Sequence, residues 1–506
     1  MQTQGLNRRQ FIRLSTAGVL GGSMGMSLAA LEAGSLEGWD PGLPFRNPAK
    51  PITIQPLFMY AIPVRKEEAS WRSWGGAQTE EAVAEEVARI DRELAAMAGQ
   101  AEFPMKIQPV RKVKTVEEAR QARDPDPDVV LVYANTGSGE LLKACFSPKT
   151  ATLIFVRQKS GPIYYWYEAL SVKYLETSPA GGAPGRTVPE GGVHVDDVVV
   201  DDYAELLWRL RALSGVANLK GTRVVALGGP WGKYSPEAPR IAREKFGLEI
   251  VDSSYDDLAA RIRRANADPE LMRTAEKWVD QYLALPKTVL HTQRQFVTNA
   301  FVLYRIFKDL LRETGASVFT IKSCMGTVIP MSKTTACLSL ELLNDEGGIA
   351  FCESDFVVIP AGILMRYLSA KPVFLHNSTF PHQGRVTCSH CTCPRRMDGR
   401  RYEPADIVTH YESDYGAAPK IEMPIGQEVS FVDPEYSVGR WVGFKGIVRD
   451  NPSYACCRSQ QDVEIQGNWR QLLNEVRDSH WLMVYGDYLK EASYAARKLG
   501  VVWAGV

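Results

Sequence analysis

Apolar residues Val83, Val87, Ile90, Leu94 and Met97 follow one another at steps of four or three. That spacing places them on one face of a helix, predicted over Thr79 to Met97 and stopped by Gly99. The next apolar runs have another texture. Val129 to Tyr133, after Asp128, and Thr152 to Val156 are continuous and rich in β-branched residues, as in strands covered on both faces. The turn Asn135 to Gly139 and a helix-like Glu140-Leu141-Leu142-Lys143 separate them, so helices and parallel strands alternate. A Gly/Pro-rich stretch, Pro179 to Gly192, reads as a surface loop or hinge. Beyond it come a helix over Asp202 to Leu213, a strand over Arg223 to Leu227, a helix over Glu237 to Phe246 and a strand over Leu248 to Val251. The strand-helix-strand unit therefore restarts near Val200. The glycines of Gly137-Ser138-Gly139 and of Gly228-Gly229-Pro230-Trp231-Gly232 either cradle a ligand at a strand end or serve as tight turns.

A long helix carrying Phe301, Leu303, Ile306, Leu310 and Leu311 ends at Gly315, and the strand Val318 to Ile321 delivers Lys322-Ser323-Cys324. A helix over Thr335 to Leu343 leads into the apolar run Ile349 to Cys352. After Leu375 helical periodicity fades, and short β-like runs such as Val429 to Phe431 and Trp441 to Phe444 take over. The predicted class is α/β, with two Rossmann-like doubly wound domains, 43–199 and 200–371, followed by a β-rich, barrel-like C-terminal domain, 372–506.

Composition sharpens this picture at three points. A chain of 506 residues exceeds one hydrophobic core. Lys plus Arg and Asp plus Glu both number 59, which argues against a nucleic-acid partner. At the N-terminus, Asn7-Arg8-Arg9-Gln10-Phe11-Ile12-Arg13 precedes the small and apolar run Leu14 to Ala30. This resembles a twin-arginine (Tat) signal, here residues 1–33, and implies export of the folded chain by the Tat machinery to a periplasmic or other extracytoplasmic location. No later run is long enough for a membrane span.

Chemistry-bearing residues concentrate between Gly348 and Arg396. Glu353 and Asp355 follow the Ile349 to Cys352 run, so both acids are expected at the carboxyl end of a buried strand, where open α/β sheets bind ligands. Pro372 to Leu375 ends in His376-Asn377, Val386 to Cys388 ends in Ser389-His390-Cys391, and His480 stands before the run Trp481 to Tyr485. Carboxylate and imidazole together suit a divalent cation. Cys388, Cys391 and Cys393 form a CxxCxC cluster that either shares a metal, with Cys352 or His390 as further donor, or stays free or disulfide-paired.

With Cys352-Glu353-Ser354-Asp355, the His390 segment, and Ser479-His480 to Gly486-Asp487 in that order, the chain resembles the L-fucose isomerase and L-arabinose isomerase superfamily over Arg223 to Trp503. The resemblance implies a metal-dependent aldose-ketose isomerase-like enzyme working through an ene-diol, on a small-molecule carbohydrate, and a homo-oligomer. It implies a divalent cation, usually Mn²⁺, with Glu353, His390 and His480 as ligands. His376 stands with Asn377 where the family has a second carboxylate, so His376 is expected as a further ligand and as acid beside the base Glu353. Asp355, Lys322 and Asn377 are expected to bind substrate. That replaced carboxylate leaves open a carbohydrate-binding protein without turnover, or a metal-dependent sugar epimerase or lyase.

Overall fold

In the computed structural model, which describes residues 38–72, 77–123, 125–147, 149–158, 175 and 192–506, the continuous apolar runs become parallel sheets. Residues 1–33, where the sequence resembles a Tat signal, lie outside the described residues, as does the Gly/Pro-rich stretch before Gly192. The first sheet holds β1 (Ile52–Met59), β2 (Met105–Ile107), β3 (Arg111–Val113), β4 (Val129–Ala134), β5 (Ala151–Val156) and β6 (Val198–Val200). Its order is β2-β1-β4-β5-β6, with β3 also on β1, and every pair is parallel. The predicted helix is Glu80–Ala98; Thr79 caps it by accepting from the Ala82 N–H, and Val83, Ile90, Leu94 and Met97 are buried.

The second parallel sheet has β7 (Arg223–Leu227) between β8 (Glu249–Ser253) and β10 (Val318–Ile321), with β11 (Ile349–Cys352) outside β10. β9 (Thr288–Leu290) is not part of it. The helix Ile359–Ser369 runs from β11 toward the β-rich region, and Gly362 lets it approach closely. A Cβ at that position would lie 2.6 Å from Phe351 Cζ and 3.2 Å from Leu482 Cδ2.

Six strands then close an antiparallel barrel: β12 (Phe374–Ser378), β13 (Arg385–His390), β16 (Glu428–Pro434), β17 (Arg440–Asp450), β18 (Ser459–Gln466) and β19 (His480–Tyr485). Around the barrel the order is β16-β19-β12-β13-β18-β17, and β17 pairs back onto β16. Closure removes the free edges of an open sheet. β20 (Val502–Gly505) adds to β17 in parallel.

The sheets cross the expected boundary at 371/372. The hairpin of β14 (Ala405–His410) and β15 (Tyr415–Ile421) leaves the barrel and pairs through β14 with β9. The helix Tyr203–Leu219, longer than its leucine spacing foretold, packs on the C-terminal helix Leu489–Lys498. Lys498 Nζ reaches Asp197 Oδ2 at 2.7 Å, so the chain's end returns to the first α/β region.

A buried polar knot fixes the barrel's entry loop to the β9 segment. Arg395 is fully buried; its Nε donates to the Glu403 carbonyl (2.6 Å), and its Nη2 donates to the Pro286 carbonyl (3.0 Å) and to Thr288 Oγ1 (2.6 Å). The backbone N–H groups of Arg395 and Arg396 both donate to Asp345 Oδ1 at 2.8 Å. Nearby, Glu403 is buried, and burial followed by repulsion from Asp398 pushes its carboxyl from the ordinary 4.5 up to about 7. A carboxyl raised on folding gives stability that is complete below its unfolded pKa and is lost as pH rises through its folded pKa. Glu403→Gln, which cannot ionise, should therefore flatten the fall in stability between about pH 4.5 and 7. Urea melts of both proteins across that range check it; an unchanged slope counts against the assignment.

Candidate functional site

The site is built where β7, β10 and β11 end against the barrel. Immediately after these strands the backbone turns left-handed: Gly228 and Gly229 after β7, Ser323 after β10, and Glu353 (φ 67°) with Ser354 (φ 50°) after β11. Gly228 is required, because a Cβ there would lie 2.3 Å from Tyr255 Oη. Glu353 and Ser354 have no such excuse. Two successive left-handed side-chain-bearing residues cost on the order of 1–3 kcal/mol each, and strain of this kind collects at functional sites.

That turn is held from both sides. The Ser354 N–H donates to Thr320 Oγ1 (3.1 Å), and the Ser354 carbonyl accepts from the Trp231 N–H (3.2 Å). Asp355, fully buried, accepts at Oδ1 from the backbone N–H of Lys233 (2.9 Å) and of Val357 (3.1 Å). Its Oδ2 is thereby aimed at His480 Nδ1, 2.7 Å away.

The barrel supplies the imidazoles. His480 opens β19, and Asp478 Oδ1 accepts the N–H groups of Ser479 (2.5 Å) and His480 (3.3 Å). His390 closes β13, with Nδ1 paired to Thr392 Oγ1 at 2.9 Å. Both rings thus commit Nδ1 elsewhere and present Nε2 to one carboxylate. His390 Nε2 lies 3.5 Å from Glu353 Oε1, and His480 Nε2 lies 3.3 Å from Glu353 Oε2.

Electrostatics follow from this geometry. Burial alone would raise the Glu353 carboxyl, but its bonds to His390 and His480 outweigh that and hold it well below the usual carboxylate range. Burial works to lower His480, whereas Asp355 and then Glu353 raise it to about 9. His480 is therefore an imidazolium at neutral pH when no cation is bound. Lys233 Nζ stands 3.2 Å from the same Nε2. That contact places the Lys233 side chain beside the Glu353–His480 pair.

Glu353, Asp355, His390 and His480 are brought into direct contact; the other expected residues make different contacts. His376 lies within β12 opposite Trp481, and strand alternation turns it to the barrel interior, beside Phe374, Phe431 and Trp481 at ring separations of 5.3, 5.7 and 6.4 Å. Its Nδ1 pairs with Ser378 Oγ at 3.1 Å, its Nε2 has no hydrogen-bond partner among the described residues, and burial pushes it down to about 3. Asn377 faces the opposite way, sharing its register with His480 and Ser389. Lys322 extends over Trp231, with Nζ 5.9 Å from the ring centroid.

Lys233 and Asp478 went unnoticed in the sequence. A signal existed for Lys233, which directly follows the Gly228 to Gly232 turn; Asp478 carried none beyond its place two residues before His480. The CxxCxC cysteines diverge, and all nine cysteines are free. Cys388 sits within β13 opposite Gln461, Cys393 Sγ points to the Pro394 carbonyl, and Cys391 joins His410 and Cys457.

The donor set at Glu353 fits a divalent cation in chemistry: one carboxylate and two imidazoles whose Nε2 atoms face it. It is loosely gathered, since the two rings meet opposite carboxylate oxygens. Among the described residues, the group whose ligand atoms all lie within 4.8 Å of one another is Cys391, His410 and Cys457.

No protein-family model and no curated protein matches the chain. Among solved structures, a conserved domain protein from Vibrio cholerae O1 biovar El Tor is similar over 63% of this chain and 85% of its own, at 11% identity and a TM-score of 0.16, a likeness that carries no argument. No helix among the described residues is long and apolar enough to cross a membrane.

Proposed function

We propose that the chain is an exported, metal-dependent carbohydrate isomerase-like enzyme, built on two doubly wound sheets and a barrel. The observation that supports this best is the strained Glu353 carboxylate, delivered by a parallel strand and met by two barrel imidazoles whose Nδ1 atoms are already bonded. Glu353, His390 and His480 would hold the cation, with Mn²⁺ the metal suggested by oxygen and imidazole donors. When bound, the cation stabilises negative charge on adjacent sugar oxygens.

The protein's own part is proton movement and orientation. Asp355 fixes the tautomer and angle of His480, a carboxylate-imidazole pairing that also strengthens the ring as a donor. Glu353 is the base for the carbon-bound proton, and Lys233 offers a donor to the oxygen that gains charge. Lys322 and Asn377 remain substrate contacts in this reading, and the chain assembles as a homo-oligomer.

The test is a panel of aldoses and ketoses incubated with Mn²⁺-loaded protein in D₂O. Incorporation of deuterium at the carbon next to the carbonyl supports the proposal. Sugar binding without exchange or product would instead favour a carbohydrate-binding protein that has lost turnover. His376 gives a sharper check. Its imidazole bonds to Ser378 rather than Glu353, so His376→Leu is expected to slow exchange less than about tenfold, against roughly 10²–10⁴-fold for a general acid or base. A loss of the larger size would return His376 to the chemistry.

A further inference from the structure

A second group of donors lies beside this site, and the proposed isomerisation does not use it. Cys391 directly follows His390 beyond the end of β13, His410 ends β14, and Cys457 immediately precedes Arg458 and β18. Ligand atoms of all three fall within 4.8 Å of one another. His410 is more than nine-tenths buried, yet its Nδ1 has no hydrogen-bond partner among the described residues. Buried polar atoms are rarely left this way without a reason.

The backbone around all three donors is fixed independently of any ligand. The ladder pairs His390 with Ser459, which brings Cys391 alongside the Cys457 segment. The Cys457 carbonyl accepts from Ser389 Oγ (3.1 Å) and from Gln460 Nε2 (2.9 Å). Arg458 donates through Nε to the Thr409 carbonyl (2.6 Å) and through Nη2 to Thr409 Oγ1 (3.1 Å), tying the residue after Cys457 to the residue before His410. A register shift between Val408 and His410 interrupts the β14–β15 ladder at this point. Cys337, at the start of the helix Cys337–Asp345, packs in the same small cluster with Cys391, Ala418 and Cys457.

We propose that Cys391, Cys457 and His410, with Cys337 as fourth donor, form a site for a soft divalent cation of the zinc class. Thiolate and imidazole are the ligands Zn²⁺ prefers, and Cys₃His is a closed tetrahedral set of the structural kind. The four donors come from the helix Cys337–Asp345, the β13 end, β14 and the turn before β18, so the cation cross-links the second α/β region, the barrel and the β14–β15 hairpin. It also fixes the residue that directly follows His390. The CxxCxC spacing misdirects here, since only its central cysteine belongs to the set. No simple sequence pattern joins positions 337, 391, 410 and 457.

The inference stands apart from the isomerase proposal, and cobalt separates the two because only thiolate ligands give an intense sulfur-to-cobalt charge-transfer band. The full chain, purified with thiols reduced, is titrated with Co²⁺ alone. About one equivalent showing that band and tetrahedral d–d absorption is expected, displaced by Zn²⁺ with release of the band. Cys457→Ser and His410→Ala should each weaken Co²⁺ binding by about a hundredfold or more, whereas Cys388→Ser and Glu353→Gln should leave the band unchanged. Far-ultraviolet circular dichroism confirms that each variant is folded, and the wild-type titration decides the matter if one is not. Reduced wild-type protein that takes up no Co²⁺ with a sulfur band overturns the proposal. So does a band that survives Cys457→Ser, or a Cys391–Cys457 disulfide found by peptide mapping in protein purified with Zn²⁺ present.

Discussion

Glu353→Gln is expected to lower the rate of carbon-proton exchange by roughly 10²–10⁴-fold, the range for loss of a general base. The substitution keeps side-chain volume and one oxygen, so packing is nearly untouched and the change is electrostatic. Three consequences follow from the same lost charge. First, metal at the site should dissociate, and with it the stabilisation by mass action, about 2.7 kcal/mol when free cation stands a hundredfold above its Kd. Second, His480 is raised to about 9 by Asp355 and Glu353 acting together against burial, so in the metal-free protein its titration should move down. NMR titration of the His480 ring reads that shift, and Asp355→Asn should move it in the same direction. Third, His480 loses the carboxylate partner 3.3 Å from its Nε2, so guest-free protein should lose stability near this corner. A variant with full exchange activity and unaltered metal content would remove Glu353 from the mechanism.

The parts of this site that were legible in the sequence are those carried by short-range patterns. Ile349 to Cys352 is a continuous apolar run beside two acids, and a strand buried on both faces must release its polar residues at its end; Glu353 and Asp355 are found there. His480 before an apolar run is equally local, and it opens β19. His376 and His390 show where local reasoning stops. Both are expected at strand ends; β12 runs on through His376 to Ser378, whereas His390 is the last residue of β13, and which way each ring turns depends on register against β19 and β18. A shift of one residue exchanges the faces. The ladder pairs Asn377 with Ser389 and so puts His376 and His390 on one face; position along the strand separates them, His376 lying among the interior aromatics and His390, the last ladder residue, reaching Glu353. Barrel closure, the pairing of β14 with β9, and the gathering of Cys391, His410 and Cys457 from three distant segments depend on contacts that no window of sequence contains.

Arg395→Ala is expected to destabilise the protein by about 3–5 kcal/mol, the cost of breaking a buried charged network by removing one partner. The side chain is fully buried and makes three hydrogen bonds, to the carbonyls of Glu403 and Pro286 and to Thr288 Oγ1. Truncation leaves the buried Glu403 carbonyl without its donor, and it empties the space beneath Tyr282 and Tyr402, whose ring centroids lie 5.5 and 5.7 Å from the guanidinium carbon. The acids suffer as well. Burial already pushes the Asp345 carboxyl up to about 6 and holds Glu341 well above its ordinary value, while Arg395 pulls both down. Without the guanidinium both should rise further, so the variant's deficit should be larger at pH 8 than at pH 5, where protonation relieves the uncompensated charge. Arg395→Met restores much of the lost volume without the charge. If it recovers most of the stability at pH 5 but little at pH 8, the electrostatic part is isolated from the packing part. Chemical denaturation at the two pH values measures both, and a loss below about 1 kcal/mol, the size of a surface ion pair, would show that the knot does not hold the β9 segment to the barrel.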